Sequence, residues 1–357
     1  MHSPIFFSLI LALLTSANLF AEPIGFRETQ VADASANRPL HVSIWYPTQA
    51  LESSEATGTS TISVGENRAF IGVRAVPDAE PAQGAHSLVV LSHGYGGNWR
   101  NLNWLAAELA AQGYVVAAPD HPGTTTFDRR PAQAATLWER PHDLSRVIDF
   151  ILAHPQLAGE INPDRIAAVG HSLGGWTVMA LAGARFDQAH FAAECQAHPN
   201  PRVCGLSDEL GLNTEGAAKT SLEASMLNHR VRAVVSLDLG LARGFTPASL
   251  AAAPIPVLIF GAGVDIGDLP ARMESGYLVA HLPPAQTQYI EIADAAHFSF
   301  MQRCKPGAVE MLEEEVPGDG IICKDGDGRS REEIHQQVAS QVIAFLEQAF
   351  AEKITAL

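Results

Sequence analysis

The chain is short of three things. Basic residues are outnumbered, 23 Lys and Arg against 39 Asp and Glu, for a formal net charge of −16. No clustered basic face is found, which excludes the nucleic-acid binders, because neutralising phosphates requires one. Cysteine is scarce, four in 357 residues, too few for a disulfide framework to carry a fold of this length. Beyond the N-terminus no stretch approaches about 18 uninterrupted apolar residues, so nothing there reads as a membrane span. What is present is globular in composition, 47% hydrophobic and 17% charged, and the length allows one large α/β domain or two medium ones.

Residues 5–14 read IFFSLILALL, an apolar run too short to span a bilayer. Small and polar residues follow, with a cleavage site after Ala21. This is the layout of a secretory signal peptide, although the leader has no Lys or Arg and carries Leu19 at the −3 position. An uncleaved anchor is the alternative. The expectation is a signal peptide over 1–21 and a mature chain over 22–357, exported to the periplasm or secreted, with no stable membrane insertion after cleavage. Export brings oxidising conditions, so the cysteines are expected to pair locally, Cys195 with Cys204 and Cys304 with Cys323.

Residues 40–46, LHVSIWY, alternate as a half-buried strand does. From residue 87 the rhythm changes to short, continuously apolar runs: SLVVLS at 87–92, YVVAAP at 114–119, RIAAVG at 165–170, RAVVSL at 232–237, PVLIFG at 256–261 and QYIEIA at 288–293. Such runs mark parallel strands buried on both faces. Amphipathic segments lie between them. One has Asp143 as its expected N-cap and Leu144, Val147, Ile148, Ile151 and Leu152 on one face; the last carries Ile334, Val338, Val342, Phe345 and Phe350. The alternation predicts one mostly parallel sheet covered by helices on both faces. Residues 186–230 break the rhythm and read as an insertion, either a lid over a site or a surface excursion. Asp325-Gly326-Asp327-Gly328 fails as a calcium loop at Arg329, Ser330 and Gln336, and reads as a turn. No metal and no organic cofactor are implied.

The chemistry is expected at strand ends. Gly170-His171-Ser172-Leu173-Gly174 matches G-x-S-x-G, with a buried strand leading in and a helix-like run leading out. That context makes Ser172 the candidate nucleophile on a strained strand-to-helix turn, where flanking side chains would collide with their neighbours. Acyl transfer also needs two N–H donors for the oxyanion. Leu173 supplies one by position, and Tyr95, in Ser92-His93-Gly94-Tyr95-Gly96-Gly97 after strand 87–92, is the candidate for the other. Of the 14 histidines, His297 follows the last strand, where a base is required; His171 is expected to pack, and His121 to line the site or simply hydrogen-bond. Two carboxylates at strand ends remain open as the acid, Asp265 and Asp238. Trp104, Trp176, Phe298 and Phe300 are candidates either for an acyl pocket or for the core.

With these pieces in hand, the chain resembles the α/β-hydrolase superfamily. Within it, the chain is similar to bacterial dienelactone-hydrolase-like proteins related to platelet-activating-factor acetylhydrolase. The resemblance runs from about Pro39 to Phe350, carried by LSHGYGGNWRNLNWLAAELAAQGYVVAAPDH at 91–121, DRIAAVGHSLGG at 164–175 and SLDLGL at 236–241. It implies the α/β-hydrolase fold and oxyanion donors at Tyr95 and Leu173. In the acetylhydrolases the acid matches Asp238, whereas in the similar polyester hydrolases and cutinase-like lipases it matches Asp265. Asp265 is favoured here as the commoner position. Dienelactone hydrolases proper use a Cys nucleophile, so Ser172 speaks against the lactone substrate.

The expected activity is therefore a serine carboxylic-ester hydrolase acting on short- or medium-chain small-molecule esters through an acyl-enzyme. A phospholipase A2 of the acetylhydrolase kind is the alternative, and a non-catalytic binding protein on the same fold is the alternative of another class. The same triad chemistry also serves amides.

Overall fold

The computed structural model describes residues 23–33, 38–49, 60–267 and 269–351. The expected leader and cleavage site lie outside the described residues. Ten strands follow in chain order: β1 Ile24–Val31, β2 Leu40–Pro47, β3 Ile62–Val64, β4 Val73–Pro77, β5 Ala85–Ser92, β6 Tyr114–Pro119, β7 Glu160–His171, β8 Val231–Leu237, β9 Val257–Val264 and β10 Thr287–Ala296. They form one sheet in the order β10-β9-β8-β7-β5-β6-β2-β1-β4-β3. From β10 to β6 every neighbouring pair is parallel. β2 pairs antiparallel with both β6 and β1.

The apolar runs are continuous because both faces are covered. Along β5, Leu88 and Val90 join one core with Leu144, Val147 and Ile148 of the helix Glu139–Ala153. Val89 and Leu91 join the other, with Leu105 and Leu109 of the helix Asn103–Ala111 and Ile334, Val338 and Val342 of the helix Arg331–Ala351. Alternate side chains of a strand point to opposite faces, so a strand flanked by helices on both sides carries no polar face.

One helix start differs from expectation. The helix begins at Glu139, not after Asp143, and the Asp143 carboxylate is wholly buried and forked by Arg38 at 2.8 and 2.9 Å. It is therefore occupied by a guanidinium rather than by the helix's own N–H groups. Segment 186–230 contains the helices Gln188–Ala197, Pro201–Cys204 and Gly216–Leu222. It is anchored by apolar burial, since Phe191, Leu210, Leu212 and Leu222 belong to the first core. Disulfides join Cys195 to Cys204 and Cys304 to Cys323. Among the described residues no helix is long and apolar enough to cross a membrane.

The chain visits β5, turns outward to β6, then returns to the other side of β5 with β7 and continues to β8. The connections diverge at β5 and β7, which opens a crevice beyond their C-terminal ends, where ligands bind in open α/β sheets.

Candidate active site

Ser172 stands at that crevice, between β7 and the helix Leu173–Leu181, with φ 56° and ψ −122°. A non-glycine residue rarely adopts such a backbone, and the strain is held by its surroundings. Ser172 N–H donates to Leu237 O at 3.0 Å, and its carbonyl accepts from Gly175 N–H at 2.9 Å. The approach of neighbouring backbone makes glycine necessary: a Cβ at Gly174 would lie 1.9 Å from Ser92 O. On the opposite side, a Cβ at Gly94 would lie 3.0 Å from the Ser172 Cβ. The loop after β5 thus runs directly against the serine.

His297 opens the turn His297–Phe300 immediately after β10. Its Nε2 lies 3.0 Å from Ser172 Oγ and its Nδ1 2.7 Å from Asp238 Oδ2. Asp238 follows β8 directly at φ 44°, and its other oxygen accepts from Ala262 N–H at 2.9 Å. The carboxylate is thus fixed from two sides, and Nδ1–H of His297 donates to it, leaving Nε2 to accept the serine proton. Two supports hold the histidine's turn. His171 donates from Nε2 to His297 O at 2.9 Å. Burial, then the nearby His297 ring, keeps the His171 imidazole well below the ordinary histidine range, so it stays neutral. On the far side Ser299 Oγ accepts from Ala296 N–H and donates to Asp325, which pairs with the buried Arg331.

The favoured acid of the sequence reading, Asp265, is not brought to His297. Leu237 pairs with Phe260, so β9 continues to Val264 past the end of β8 and carries Asp265 further out. There its exposed carboxylate accepts from Leu269 N–H at 2.9 Å. The aromatic candidates divide as well. Phe298 lines the cavity at Ser172. Trp176 stacks on Phe245 in the core, Trp104 stacks on His335 and donates to Phe300 O, and Phe300 is fully buried.

Tyr95 and Leu173 lie on either side of Ser172. The loop and elbow hydrogen bonds use the N–H groups of Gly96, Gly97, Ser172, Gly175 and Trp176, and leave those of Tyr95 and Leu173 out. The loop rests on a buried polar network that sequence reasoning missed. Arg140 donates to His93 O, to Ser92 Oγ at 3.2 Å, to Thr124 Oγ1 at 2.6 Å and to Thr177 Oγ1 of the elbow helix at 3.0 Å. Ser92 Oγ lies 3.0 Å from His121 Nε2, and His121 Nδ1 lies 2.9 Å from Asp143 Oδ2. His121 therefore hydrogen-bonds beneath the loop and does not line the cavity. No motif marks Arg140 or Asp143; the only signal was a charged pair inside an otherwise amphipathic helix.

The cavity at Ser172 measures about 500 Å³. Its lining joins Ser172 and His297 to Tyr95, Leu241, Leu269 and Phe298, and the 186–230 segment adds Arg202, Val203 and Leu206. From the same segment Glu209 accepts the Tyr95 phenol. Burial, then that carboxylate, pushes the phenol up. Among the described residues no group of three or more His, Cys, Asp or Glu is placed to hold a metal ion.

A mostly parallel sheet covered by helices, with a serine on a strained turn at its switch point, is the α/β-hydrolase fold. Residues 83–198, about a third of the chain, match the family model Hydrolase_4, described as serine aminopeptidase, S33. Over 104 residues the chain is 31% identical to Cutinase est1 of Thermobifida alba, which covers 29% of this chain and 32% of that protein. Over the same length it is 28% identical to a bis(hydroxyethyl) terephthalate hydrolase of Streptomyces coelicolor, covering 29% and 31%. The chain thus spans about a third of the length of the curated relatives it matches. Among solved structures it is similar to a ferulic acid esterase from Streptomyces cinnamoneus. The TM-score is 0.61 at 21% identity, over 93% of this chain and 92% of that one, a likeness of fold.

Proposed function

We propose that the protein is a serine carboxylic-ester hydrolase working through an acyl-enzyme, with Ser172 as nucleophile, His297 as general base and acid, and Asp238 as the triad carboxylate. The observation that carries the reading is the continuous chain from Ser172 Oγ to His297 Nε2 at 3.0 Å and from His297 Nδ1 to Asp238 at 2.7 Å, open to a cavity. His297 takes the serine proton as Oγ attacks the ester carbonyl, and Asp238 holds the tautomer and stabilises the imidazolium. The N–H groups of Tyr95 and Leu173 receive the oxyanion, helped by the N-terminal end of the elbow helix. His297 then gives its proton to the leaving alcohol, and a water deprotonated by the same nitrogen releases the acid. The similarity to cutinases and to a bis(hydroxyethyl) terephthalate hydrolase favours esters over amides.

In this reading the 186–230 segment serves as a cap, because Val203 and Leu206 form part of the cavity wall and Glu209 holds Tyr95. The two disulfides support an exported mature chain, since such bonds persist in oxidising compartments. A panel of p-nitrophenyl esters of increasing acyl length, run on the mature protein beside fluorophosphonate labelling, tests the assignment. Turnover of short or medium chains with a single adduct on Ser172 is expected. Failure to label Ser172, or turnover that survives its labelling, refutes it.

A further inference from the structure

The cavity contains one permanent positive charge, and among the described residues no carboxylate pairs with it. Arg202 lies on the insertion helix Pro201–Cys204 and lines the same cavity as Ser172 and His297. The other side chains of the wall are apolar, apart from Tyr95 and the two site residues themselves. The chain carries 16 more acidic than basic groups, and several of its buried or half-buried arginines are paired with carboxylates. Arg38 forks Asp143, Arg243 pairs with Glu274, Arg331 with Asp325 and Arg230 with Asp149. Arg202 has no such partner among the described residues.

Three described carboxylates on the two segments that meet at Arg202 are already engaged, while Asp268 lies outside the described residues. Glu209 accepts from the Tyr95 phenol, Asp208 from Asn213 at 3.0 Å and Asp265 from Leu269 N–H at 2.9 Å. The arginine's backbone is held on both sides. Asn200 accepts from Val203 N–H through its side chain at 2.9 Å and from Cys204 N–H through its carbonyl at 2.8 Å. Cys204 is tied to Cys195. The guanidinium extends over Gly267, where an added Cβ would lie 3.7 Å from Nε and 3.9 Å from Cζ, so it reaches from the insertion to the segment beyond β9. A planar cation, exposed and unpaired among the described residues, is suited to a carboxylate, which it can meet with two parallel hydrogen bonds.

We infer that the site takes esters bearing a carboxylate remote from the scissile carbonyl, and that Arg202 is the residue that selects them. The inference rests on the ester-hydrolase reading above and adds a substrate class to it. The anion can sit on the acyl side or on the alcohol side of the ester; the chemistry of recognition is the same.

Two matched pairs of esters distinguish these sources. On the acyl side, p-nitrophenyl hydrogen glutarate is compared with p-nitrophenyl valerate. On the alcohol side, 4-(butyryloxy)benzoate is compared with its methyl ester. The quantity read is the ratio of kcat/KM for the anionic member to that for the neutral one. Being internal to each preparation, it does not depend on how much of a variant is folded.

The wild type is expected to favour the anionic member of one pair, and that pair identifies the side. In Arg202→Gln the ratio falls about tenfold, the size of one charge-assisted hydrogen-bonded contact. In Arg202→Glu it falls further, while Arg202→Lys keeps part of the preference. The preference also weakens with added salt. Turnover with ratios that none of the three substitutions moves, in both pairs, overturns the inference and leaves the hydrolase reading standing. No turnover of any of the four esters, together with no fluorophosphonate adduct on Ser172, overturns both.

Discussion

Ser172–His297–Asp238 and Ser92–His121–Asp143 are the same three side chains at nearly the same distances. The serine–histidine spacing is 3.0 Å in both, and the histidine–carboxylate spacing is 2.7 Å in one and 2.9 Å in the other. Their surroundings differ. Ser92, His121 and Asp143 are all 0% exposed, whereas Ser172 faces the cavity. Arg140 donates to Ser92 Oγ, so a lone pair of that oxygen is committed, and Arg38 occupies the Asp143 carboxylate. Burial, then Arg140 and Arg38, keep the His121 imidazole well below the ordinary range, so it resists taking a proton. Hydrogen-bond geometry alone therefore does not make a nucleophile. An open face on the oxygen is needed as well. The second array instead anchors the loop that passes over the first.

Mutating the two serines tests that contrast most severely. Ser172→Ala should cost about 10⁶ in kcat, the scale seen when a triad serine is lost. Ser92→Ala should keep turnover within about tenfold and lower stability by about 1–3 kcal/mol, since Arg140 and His121 lose a buried partner. Ester kinetics and urea midpoints read the two effects separately. Comparable loss of kcat in both variants would show that the buried array takes part in the chemistry. The carboxylates come next. Asp238→Asn should cost about 10⁴ in kcat through the wrong histidine tautomer, and Asp265→Asn no more than a few-fold. The opposite ranking would return the acid to the end of β9.

How far these features could be read from the sequence follows from what each depends on. The strands β5 to β9 were legible because burial on both faces leaves few polar positions to blur the run, whereas the edge strand β10 exposes Gln288, Tyr289 and Glu291. β1 was not: Arg27 and Glu28 interrupt its apolar positions, and it lies just beyond the expected leader. β3 and β4 are short, with exposed positions. The serine and the histidine each sit beside a strand end with a distinctive local pattern. The acid does not, since Asp238 and Asp265 both follow strands. Which one meets His297 depends on how far β9 outruns β8, a matter of sheet register. Trp104 and Trp176 look alike in sequence to Phe298, yet only Phe298 lies at the cavity. Arg202 and the Arg140 network depend on contacts between segments distant in the chain, which leave no local pattern.

Breaking the second array at its carboxylate should be felt in stability. Asp143→Asn leaves Arg38 buried without its counter-charge, and removing one member of a buried pair costs about 3–5 kcal/mol. The urea midpoint should fall accordingly. The equivalent change in the open array, Asp238→Asn, should shift the midpoint less while costing far more activity. Equal shifts would remove the distinction between an array that supports the fold and one that serves the site.

The smallest single-residue effect expected is in the slope of stability against pH. Burial first, and nearby cations second, hold His93 and His121 well below the ordinary range; His171 is likewise held down by burial, and His335 falls to about 3. In the unfolded chain these side chains take up protons as the pH falls through about 6.5, while in the folded chain they stay neutral. The unfolded state then binds more protons, so stability rises with pH below about 6.5 and is independent of these groups above it. Each such histidine contributes up to about 1.4 kcal/mol per pH unit within the window. Urea midpoints of the wild type should therefore fall between pH 6.5 and pH 5. His121→Gln removes one titrating group from the buried array, and its midpoint should fall less steeply over the same interval. A slope as steep as that of the wild type would mean that His121 already takes a proton in the folded protein, and that burial does not keep this array neutral.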